Sequence, residues 1–460
     1  MIAAIGLDLG TTSIKAGLLS RDGTLNGIVA RPAPAIVADG GRYESDALAY
    51  AETADAVLQE CLAGSPSPLP FGLCSQRSSF LLWERASGRP VTPLISWQDD
   101  RGAASCADLR ASEHTVRELT GLPLTPYYLA PKLRGLLREQ PTWRERLSSG
   151  EWLLGTLDTF LIWRWSGGKC HQTDASMAAR SLLMDIQSGQ WSAELCALFD
   201  VPPQILPQIT SSTGLDLPLQ NGLHLQASLG DQSAALVAVI ADGEPQALVN
   251  LGTGGFVVRY LPAGRQAPRG YLQTLVWQDA GQQMHYAAEG TLNSIAAALA
   301  DYPVAACQVG ELARDDIFCL AEPSGLGAPY FRSDLGLTFS GPIGHLPPQR
   351  IAALLLEGII FRVVRILEDF RREFGLERVY LSGGLAHLPC LQQGIAGCVP
   401  LAVYLLRQTD ASLLGTARLA AGITFPADAK PIKVDAGAKL PRLTAKYGRW
   451  KAWLDGLLRA

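Results

Sequence analysis

The chain has 460 residues, of which 48% are hydrophobic and 18% are charged, and its formal net charge is -4. This length exceeds a single typical hydrophobic core, so two or three domains are expected, and the composition excludes a disordered or fibrous chain. The slightly acidic balance argues against a general nucleic-acid-binding protein, so no nucleic-acid partner is expected. No apolar run reaches the roughly 18 residues that a membrane span needs, and no membrane association is predicted.

The cysteines and the N-terminus indicate the compartment. Nine cysteines are scattered along the chain without a Cys-x-x-Cys pair, which is typical of free thiols in a reducing cytoplasm. The N-terminus lacks the basic segment of a secretion signal, so we expect a cytoplasmic protein. The six histidines are isolated, and no zinc or iron site is predicted. No feature fixes the oligomeric state, and a homodimer is one candidate assembly.

Residues 1–20 predict a strand, a tight turn and a returning strand. The first strand is apolar except for Asp8, and the returning strand carries Lys15. A turn glycine lets backbone N–H groups approach an anion closely, and neighbouring hydroxyls can add hydrogen bonds to it; the residues concerned are Gly10, Thr11 and Thr12. The pattern indicates a phosphate-binding hairpin beside a carboxylate. The alternative is an ordinary hairpin in which Asp8 caps the turn.

The following segment predicts a helix over 47–63 and a buried strand over 71–75. Gln76 and Arg77 follow that strand, at a position where open α/β sheets usually place ligand contacts. Residues 152–165 are rich in large apolar side chains, and we interpret them as core helix without a functional role.

A strand is predicted over 223–229, and Asp231 then begins an alanine-rich helix. An aspartate at this position is often a helix N-cap, and that interpretation stays open beside a functional one. The helix N-terminus also favours the carboxylate form.

The hairpin pattern recurs in the second half. Residues 249–258 repeat the strand, the Gly-Thr turn and the returning strand, with Asn250 in the place of Asp8; the turn consists of Gly252, Thr253 and Gly254. Such recurrence favours an internal duplication with one anion-binding hairpin in each half. A third glycine turn, Gly383 and Gly384, ends another apolar run and would complete a nucleotide site.

The C-terminal part predicts two helices. Residues 351–370 have a long helical pattern with Asp369 on the outer face, and Trp450 and Leu454 lie at helical spacing in the tail. We interpret the tail as a docked amphipathic helix with a solvated basic face.

Several further motifs accompany the three glycine turns, in this order: Ser75-Gln76-Arg77, Ser96 to Arg101, Pro126-Tyr127-Tyr128, Gly155 to Thr159, Thr173-Asp174, Gly230-Asp231-Gln232 and Gly325 to Tyr330. Over nearly the whole chain this series resembles the FGGY family of carbohydrate kinases, with the glycerol kinases as the most similar branch. The family shares the fold of actin, hexokinase and the 70-kilodalton heat-shock ATPases. The resemblance implies an α/β protein with two ribonuclease-H-like domains, at 1–242 and 243–460, and a cleft between them.

The resemblance also implies ATP and Mg²⁺ and assigns roles to residues. Asp231 would be the catalytic base, and Asp8 would hold Mg²⁺ through water. The sugar or polyol would be bound by Gln76, Arg77, Ser78, Trp97, Asp99, Arg101, Tyr127, Asp231 and Gln232. The nucleotide would be bound by Gly10, Thr11, Thr12, Lys15, Gly252, Thr253, Gly254, Gly383, Gly384 and Leu388. Two alternatives stay open: Arg77 and Asp99 could form a structural ion pair, and Lys15 could point outward.

The expected function is ATP-dependent phosphorylation of a hydroxyl of a small sugar or polyol. Glycerol kinases carry an Arg-Glu pair where this chain has Arg77-Ser78, so we expect glycerol to be a poor substrate and a longer acceptor to use Asp99, Arg101 and Tyr127 for its extra hydroxyls. The alternative is that Gln76 or a water replaces the missing carboxylate and glycerol remains the substrate. A second alternative is a non-kinase ATPase or binding protein of the same fold. Leu388-Pro389 replaces asparagines of the glycerol-kinase pattern, which predicts a looser nucleotide preference.

Overall fold

The computed structural model describes residues 1–64, 68–406, 410–423, 431–435 and 440–459. It divides the chain into two compact units. Unit 1 comprises Met1–Ala238, Thr274–Tyr286 and the described part of Asp410–Ala427. Unit 2 comprises Val239–Gln273, Ala287–Thr409 and Asp428–Ala460, again within the described residues. This grouping differs from a single division at 242/243, because two segments from the second half of the chain belong to unit 1.

Strands and helices are mixed along the chain, in runs of one type as well as in alternation. The strands are β1 (Ile2–Leu9), β2 (Ser13–Ser20), β3 (Leu25–Pro32), β4 (Val37–Asp39), β5 (Arg42–Ser45), β6 (Pro70–Ser75), β7 (Phe80–Glu84), β8 (Leu94–Ile95), β9 (Trp152–Thr156), β10 (Gln172–Asp174), β11 (Met184–Asp185), β12 (Gln190–Trp191), β13 (Gln208–Thr210), β14 (Thr213–Pro218), β15 (His224–Gly230), β16 (Gln246–Leu251), β17 (Gly255–Tyr260), β18 (Leu272–Gln278), β19 (Met284–Leu292), β20 (Cys319–Leu320), β21 (Thr338–Phe339), β22 (Arg378–Ser382), β23 (Ala402–Leu405) and β24 (Ile432–Lys433). The helices are α1 (Ala47–Leu62), α2 (Ala103–Asp108), α3 (Glu113–Thr120), α4 (Leu129–Glu139), α5 (Trp143–Ser148), α6 (Leu157–Trp165), α7 (Ala175–Ala178), α8 (Ala193–Leu198), α9 (Asp231–Val239), α10 (Ile295–Leu299), α11 (Pro348–Phe374), α12 (Pro389–Cys398), α13 (Ala411–Ala420) and α14 (Pro441–Arg459).

The main sheet of unit 1 has six strands in the order β14-β15-β6-β1-β2-β3. β1 and β2 form the predicted antiparallel hairpin, while β6 runs parallel to both β1 and β15. Leu9 and Gly230 are both register partners of Ser75. The carboxyl ends of three neighbouring parallel strands therefore meet at one edge of the sheet, which is the edge that α/β folds use for ligands.

Helix α13 packs on β1, β6 and β15. The approach is close at Gly6, where an added Cβ would lie 2.9 Å from the Leu413 carbonyl oxygen, and closer still at Gly72 beside Thr416. Glycine is required at such a backbone contact because any side chain would push the helix away. This contact explains why residues so late in the chain belong to unit 1.

The prediction of a continuous core helix over 152–165 is wrong for its first part. Residues 152–156 form β9, which pairs antiparallel with β7 from Phe80–Thr156 to Glu84–Trp152 in a five-stranded sheet. Only Leu157 onward is helical. Pairing with a distant strand overrides a local pattern that does not distinguish a buried strand from a buried helix.

A second large sheet has seven strands in the order β18-β19-β17-β16-β22-β23-β24, and its strands β16 and β17, both in unit 2, form the second predicted hairpin. The long helix α11 and the C-terminal α14 are both confirmed, and Trp450 and Leu454 are fully buried. Asp369 is not on an outer face as predicted, because it is buried and accepts a hydrogen bond of 2.7 Å from the Tyr271 hydroxyl.

All nine cysteines lie within the described residues, and each is a free thiol, as predicted. Among the helices of the described residues, none is both long and apolar enough to cross a lipid bilayer.

Candidate functional site

The ligand edge of the unit 1 sheet brings together residues from three strands. Asp8 lies near the end of β1, Gln76 and Arg77 follow β6, and Asp231 follows β15. Since these strands are adjacent and parallel, side chains that are far apart in sequence meet at one edge. The predicted base, the predicted metal ligand and part of the predicted acceptor site therefore share one region of unit 1.

Asp8 lies in a charged and partly buried environment. Its register partner on β2 is Lys15, so both side chains project from the same face of the sheet. The Lys15 ammonium donates a hydrogen bond of 2.8 Å to Asp410, and the Cys74 thiol donates one of 3.5 Å to Asp8 Oδ1. The pKa of Asp8 is raised to about 7, mainly by burial and also by the nearby Asp231 carboxylate, while Cys74 and Lys15 oppose the rise.

Asp231 is the first residue of α9 and pairs with a buried arginine. Arg77 Nε lies 3.7 Å from Asp231 Oδ1, and the side chain of Arg77 is only 4% exposed whereas that of Asp231 is 30% exposed. Arg77 also donates a hydrogen bond to the side-chain oxygen of Gln232. Burial raises the pKa of Asp231, and the guanidinium groups of Arg77 and Arg180 oppose the rise. A raised pKa makes a carboxylate a stronger base.

The side chain of Gln76 is engaged inside the protein. Its amide nitrogen donates to the Tyr50 hydroxyl at 3.0 Å. Its oxygen accepts from Thr11 Oγ1 at 3.3 Å and from Ser79 Oγ at 3.0 Å. The residue is 3% exposed. Gln76 therefore supports the first hairpin, and its oxygen already has two donors.

Trp97 and Tyr127 form an aromatic wall near the hairpin. Their ring centroids are 5.5 Å apart, and the Trp97 indole N–H donates to Thr11 Oγ1 at 3.0 Å. An aromatic face beside polar groups is a usual surface for the C–H face of a sugar or polyol chain, since it excludes water and leaves the hydroxyls to polar neighbours.

The side chain of Ser78 is bound within the protein. It is buried with a left-handed backbone (φ 64°), and its hydroxyl donates to the Arg180 carbonyl oxygen at 3.0 Å. Because the hydroxyl proton is used within the protein, this position offers neither a carboxylate nor a free hydroxyl donor.

Asp99 and Arg101 form a buried ion pair with each other. Arg101 Nε donates to Asp99 Oδ1 at 2.7 Å, and Arg101 also pairs with Glu44 at 2.5 Å. The Tyr43 N–H donates to Asp99 Oδ2 at 2.8 Å. Burial alone would raise the pKa of Asp99, but the hydrogen bonds from Arg101 and from Tyr43 outweigh it and hold the pKa below its usual value. An ion pair is thus present, but the partner of Asp99 is Arg101.

In unit 2, the second hairpin turn is held by backbone contacts. The Gly252 N–H donates to the Gly254 carbonyl oxygen at 2.8 Å, and the Thr253 carbonyl accepts from the Ala296 N–H at 3.2 Å. Thr253 itself is exposed. A turn with exposed backbone and small side chains is suited to an anion that approaches the main chain.

The third glycine turn follows β22, whose Ser382 is the register partner of Asn250. Gly383 has a φ of 90°, and an added Cβ would overlap the Leu251 carbonyl, whereas Gly384 has no neighbour within 4 Å of its Cβ position. Leu388 is partly exposed and precedes Pro389 at the start of α12. Gly383 therefore allows the backbone to lie close to the Leu251 carbonyl, whereas the space beside Gly384 is open.

Four contacts of the site were not found by sequence reasoning: those of Tyr50, Cys74, Arg180 and Asp410. Each lies on an element whose place beside the hairpin depends on tertiary packing. Asp410 stands out in the sequence as an acidic residue just before a small-residue helix. Its pairing with Lys15 could not be predicted, because it depends on where α13 packs.

Comparison with known proteins decides the family. The model of the N-terminal domain of the FGGY family of carbohydrate kinases matches residues 3–231, and the model of its C-terminal domain matches residues 247–422. The chain belongs to the FGGY family of carbohydrate kinases. It is an ATP-dependent carbohydrate kinase that phosphorylates a hydroxyl of a small sugar or polyol, as the motifs predicted.

Curated FGGY relatives cover the chain from end to end. A glycerol kinase of Alkalilimnicola ehrlichii is 32% identical over 488 residues, which cover 100% of this chain and 98% of that protein. A glycerol kinase of Thermus brockianus is 31% identical over 99% of this chain and 98% of its own length.

Solved structures of the family share the fold. Plasmodium falciparum glycerol kinase with ADP has a TM-score of 0.85 at 21% identity, over 99% of this chain and 98% of that one. Xylulose kinase from Rhodospirillum rubrum has a TM-score of 0.81 at 21% identity, over 99% and 100%. The predicted two-domain fold of the actin and hexokinase type is confirmed.

Proposed function

We propose that this FGGY kinase phosphorylates a terminal hydroxyl of a sugar or polyol longer than glycerol. The observation that carries this proposal is Ser78, which stands beside Arg77 where glycerol kinases have a glutamate and whose hydroxyl is bound to the Arg180 carbonyl. A substrate hydroxyl that loses a strong acceptor in a buried site costs roughly 1 to 3 kcal/mol, which is about one to two decades in catalytic efficiency.

The engagement of Gln76 supports the same conclusion. The alternative in which Gln76 replaces the missing carboxylate requires its oxygen to accept a hydrogen bond from the substrate. That oxygen already accepts from Thr11 and Ser79. The Gln76 oxygen therefore does not replace the missing carboxylate. Glycerol should remain a poorer substrate than a longer sugar or polyol unless a water accepts the hydrogen bond.

Three groups of unit 1 carry the acceptor in this proposal. Asp231 removes the proton of the attacking hydroxyl, and Arg77 holds Asp231 in place. Trp97 and Tyr127 cover the carbon chain, and Gln232 lies at the same edge. Asp99 and Arg101 contribute by positioning the loop that carries Trp97, because their charged atoms are engaged with each other and with Glu44.

The nucleotide contacts are proposed for each unit separately. In unit 1, Gly10, Thr11 and Thr12 present backbone N–H groups and hydroxyls to phosphate oxygens, and Lys15 adds positive charge. In unit 2, Gly252, Thr253 and Gly254 present backbone N–H groups, whereas Gly383, Gly384 and Leu388 form the adenosine side. Phosphoryl transfer requires mainly such positioning and charge neutralisation.

Mg²⁺ fits the acidic groups near the first hairpin. The pKa of Asp8 is raised to about 7 by burial and by the nearby Asp231 carboxylate, so a cation there would relieve an unfavourable charge. In the described parts of the chain, no group of three or more His, Cys, Asp or Glu side chains forms a metal site. Mg²⁺ usually keeps several waters and uses few protein carboxylates. Asp8 would hold the ion, which neutralises phosphate charge.

The test compares acceptors and two variants at one position. ADP release is measured with ATP, Mg²⁺ and a panel of glycerol, longer polyols, pentuloses, hexuloses and heptuloses. We expect a longer acceptor to have the highest kcat/KM. Ser78→Glu should raise kcat/KM for glycerol relative to that acceptor, whereas the control Ser78→Ala should not. If glycerol has the highest kcat/KM in the unmodified protein, the proposal is wrong.

A further inference from the structure

A continuous series of hydrogen bonds joins the aromatic wall to the first hairpin. The Trp97 indole N–H donates to Thr11 Oγ1 (3.0 Å), and Thr11 Oγ1 donates to Gln76 Oε1 (3.3 Å). Gln76 Nε2 then donates to the Tyr50 hydroxyl (3.0 Å), which donates to the Gly10 carbonyl oxygen (3.2 Å). The series thus begins on a residue of the acceptor wall and reaches both Thr11 and Gly10 of the hairpin turn.

A second branch reinforces the first. Ser79 Oγ donates to Gln76 Oε1 at 3.0 Å, and the Trp97 backbone N–H donates to Ser79 Oγ at 3.0 Å. Trp97 is therefore connected to Gln76 through its side chain and through its main chain.

The centre of the series is shielded from water. Tyr50 is 1% exposed, Gln76 is 3% exposed and Ser79 is fully buried, whereas Trp97 is partly exposed. Hydrogen bonds in such an environment are stronger than in water and polarise one another, and a buried group that loses its partner is costly. Tyr50, Gln76 and Ser79 are thus held in one arrangement, whereas the partly exposed Trp97 can contact a ligand.

We propose that Tyr50 and Gln76 are positioning residues that couple acceptor binding to the geometry of the phosphate hairpin. The inference rests on the proposed function, in which the acceptor lies against Trp97 and the hairpin holds phosphate. An acceptor that holds the Trp97 ring in one orientation also holds the indole N–H that donates to Thr11. The same series of hydrogen bonds then sets the orientation of Thr11 and Gly10. Acceptor and ATP should bind with positive coupling.

Coupling of this kind is reciprocal, so it is measurable from either ligand. The KM for ATP is determined at a low and at a saturating concentration of the best acceptor of the panel, and the ratio of the two values is the coupling factor. In the unmodified protein, saturating acceptor should lower the KM for ATP.

Two variants interrupt the series at different points. Tyr50→Phe removes the hydroxyl from the core of the series, and Trp97→Phe removes the indole donor while keeping an aromatic ring. Each should bring the coupling factor toward one by roughly 2- to 10-fold, the effect of one lost hydrogen bond. The double variant should be no worse than the stronger single variant, because residues in one network are not additive.

Thr53→Val is the matched control. It removes a hydroxyl from the same helix, α1, but that hydroxyl donates to the Ala49 carbonyl oxygen one turn earlier in the helix, at 2.7 Å, and not to a residue of the series. The control should keep the coupling factor of the unmodified protein. Thermal unfolding of every variant is recorded beside it, since general destabilisation would lower activity without changing a ratio of KM values.

Three outcomes are decisive. A reduced coupling factor in both variants with an unchanged control supports the inference. Active variants that keep the full coupling factor, or an unmodified protein whose KM for ATP does not depend on the acceptor, overturn it while leaving the proposed function intact. Absence of ADP release with every acceptor would remove the proposed function and this inference with it. If Tyr50→Phe does not fold, Gln76→Glu interrupts the same Gln76–Tyr50 hydrogen bond by removing its donor, the Nε2 group of Gln76.

Discussion

The two glycine hairpins have the same backbone plan and different surroundings. β1 and β2 join at Gly10, and β16 and β17 join at the turn 252–254, with a parallel neighbour strand in each case. The first hairpin has Asp8 and is fixed by side chains of distant residues. The second has Asn250 and is fixed by backbone hydrogen bonds. The Gly-Thr motif therefore determines the shape of each turn, whereas the residues that bond to the turn determine its function.

The two units also bury lysines in different ways. Lys446 of unit 2 is 1% exposed and pairs with the buried carboxylate of Glu357. Lys132 of unit 1 is fully buried and donates to the Ser96 carbonyl oxygen at 2.7 Å. Unit 2 thus pairs its buried lysine with an opposite charge, whereas the ammonium of the buried lysine in unit 1 donates to a neutral carbonyl oxygen.

The largest expected effect follows from removing the carboxylate that we propose as the catalytic base at the ligand edge of unit 1. Asp231→Asn should lower kcat by about 10² to 10⁴-fold, because a positioned general base typically contributes that much. Binding of an ATP analogue should be retained. ADP release and calorimetric titration check both statements, with the exposed Asp22→Asn as control. Near-normal turnover would remove Asp231 from the mechanism.

A swap of the two hairpin side chains tests whether Asp8 makes the hairpins different. Asp8→Asn should raise the Mg²⁺ concentration for half-maximal activity by about 10- to 100-fold, the usual cost of losing a group that orients a metal and its waters. Adding Asn250→Asp should not restore the original Mg²⁺ requirement, because Asp8 acts among its own neighbours Lys15, Cys74 and Asp231, whereas Asn250 has Ser382 as its register partner. An unchanged magnesium titration in Asp8→Asn would contradict the metal role.

The sequence predicts the parts that depend on local pattern. Both hairpins, the strand before Gln76 and the helix that begins at Asp231 follow from spacing and glycine chemistry, and the family follows from the order of the motifs. Tertiary contacts could not be predicted: β9 was missed because its partner is distant, and Lys15 could be oriented only from its register with Asp8. The hydrogen bonds of Gln76 to Tyr50 and of Ser78 to the Arg180 carbonyl could likewise not be predicted, because they depend on where the fold places Tyr50 and Arg180.

A smaller effect separates the two glycines of the third turn. Gly383→Ala should destabilise unit 2 by about 1 to 3 kcal/mol, because its φ of 90° and its contact with the Leu251 carbonyl leave no room for Cβ. Gly384→Ala has open space and should leave the unfolding midpoint nearly unchanged. Thermal unfolding of the two variants gives the comparison, and equal midpoints would show that the turn adapts.

The last comparison concerns the buried lysine of unit 1, whose effect on stability is spread over several pH units. Burial lowers the pKa of Lys132 to about 7 from its usual 10.5, with Arg101 adding to the fall and Asp99 opposing it. Between these two values the unfolded chain binds a proton that the folded protein does not, so this group makes the protein more stable as pH rises from about 7 toward 10. Below pH 7 both states are protonated and the dependence ends.

Lys132→Met should therefore abolish this slope, which is at most about 1.4 kcal/mol per pH unit. The free energy of unfolding is measured in urea at several pH values between 6 and 10, and the difference between the unmodified protein and the variant cancels the other titrating groups. The exposed Lys169→Met is the control, because its side chain is solvated before and after unfolding. A difference that is constant with pH would mean that Lys132 stays charged in the folded protein, with Asp99 as the partner that holds its proton.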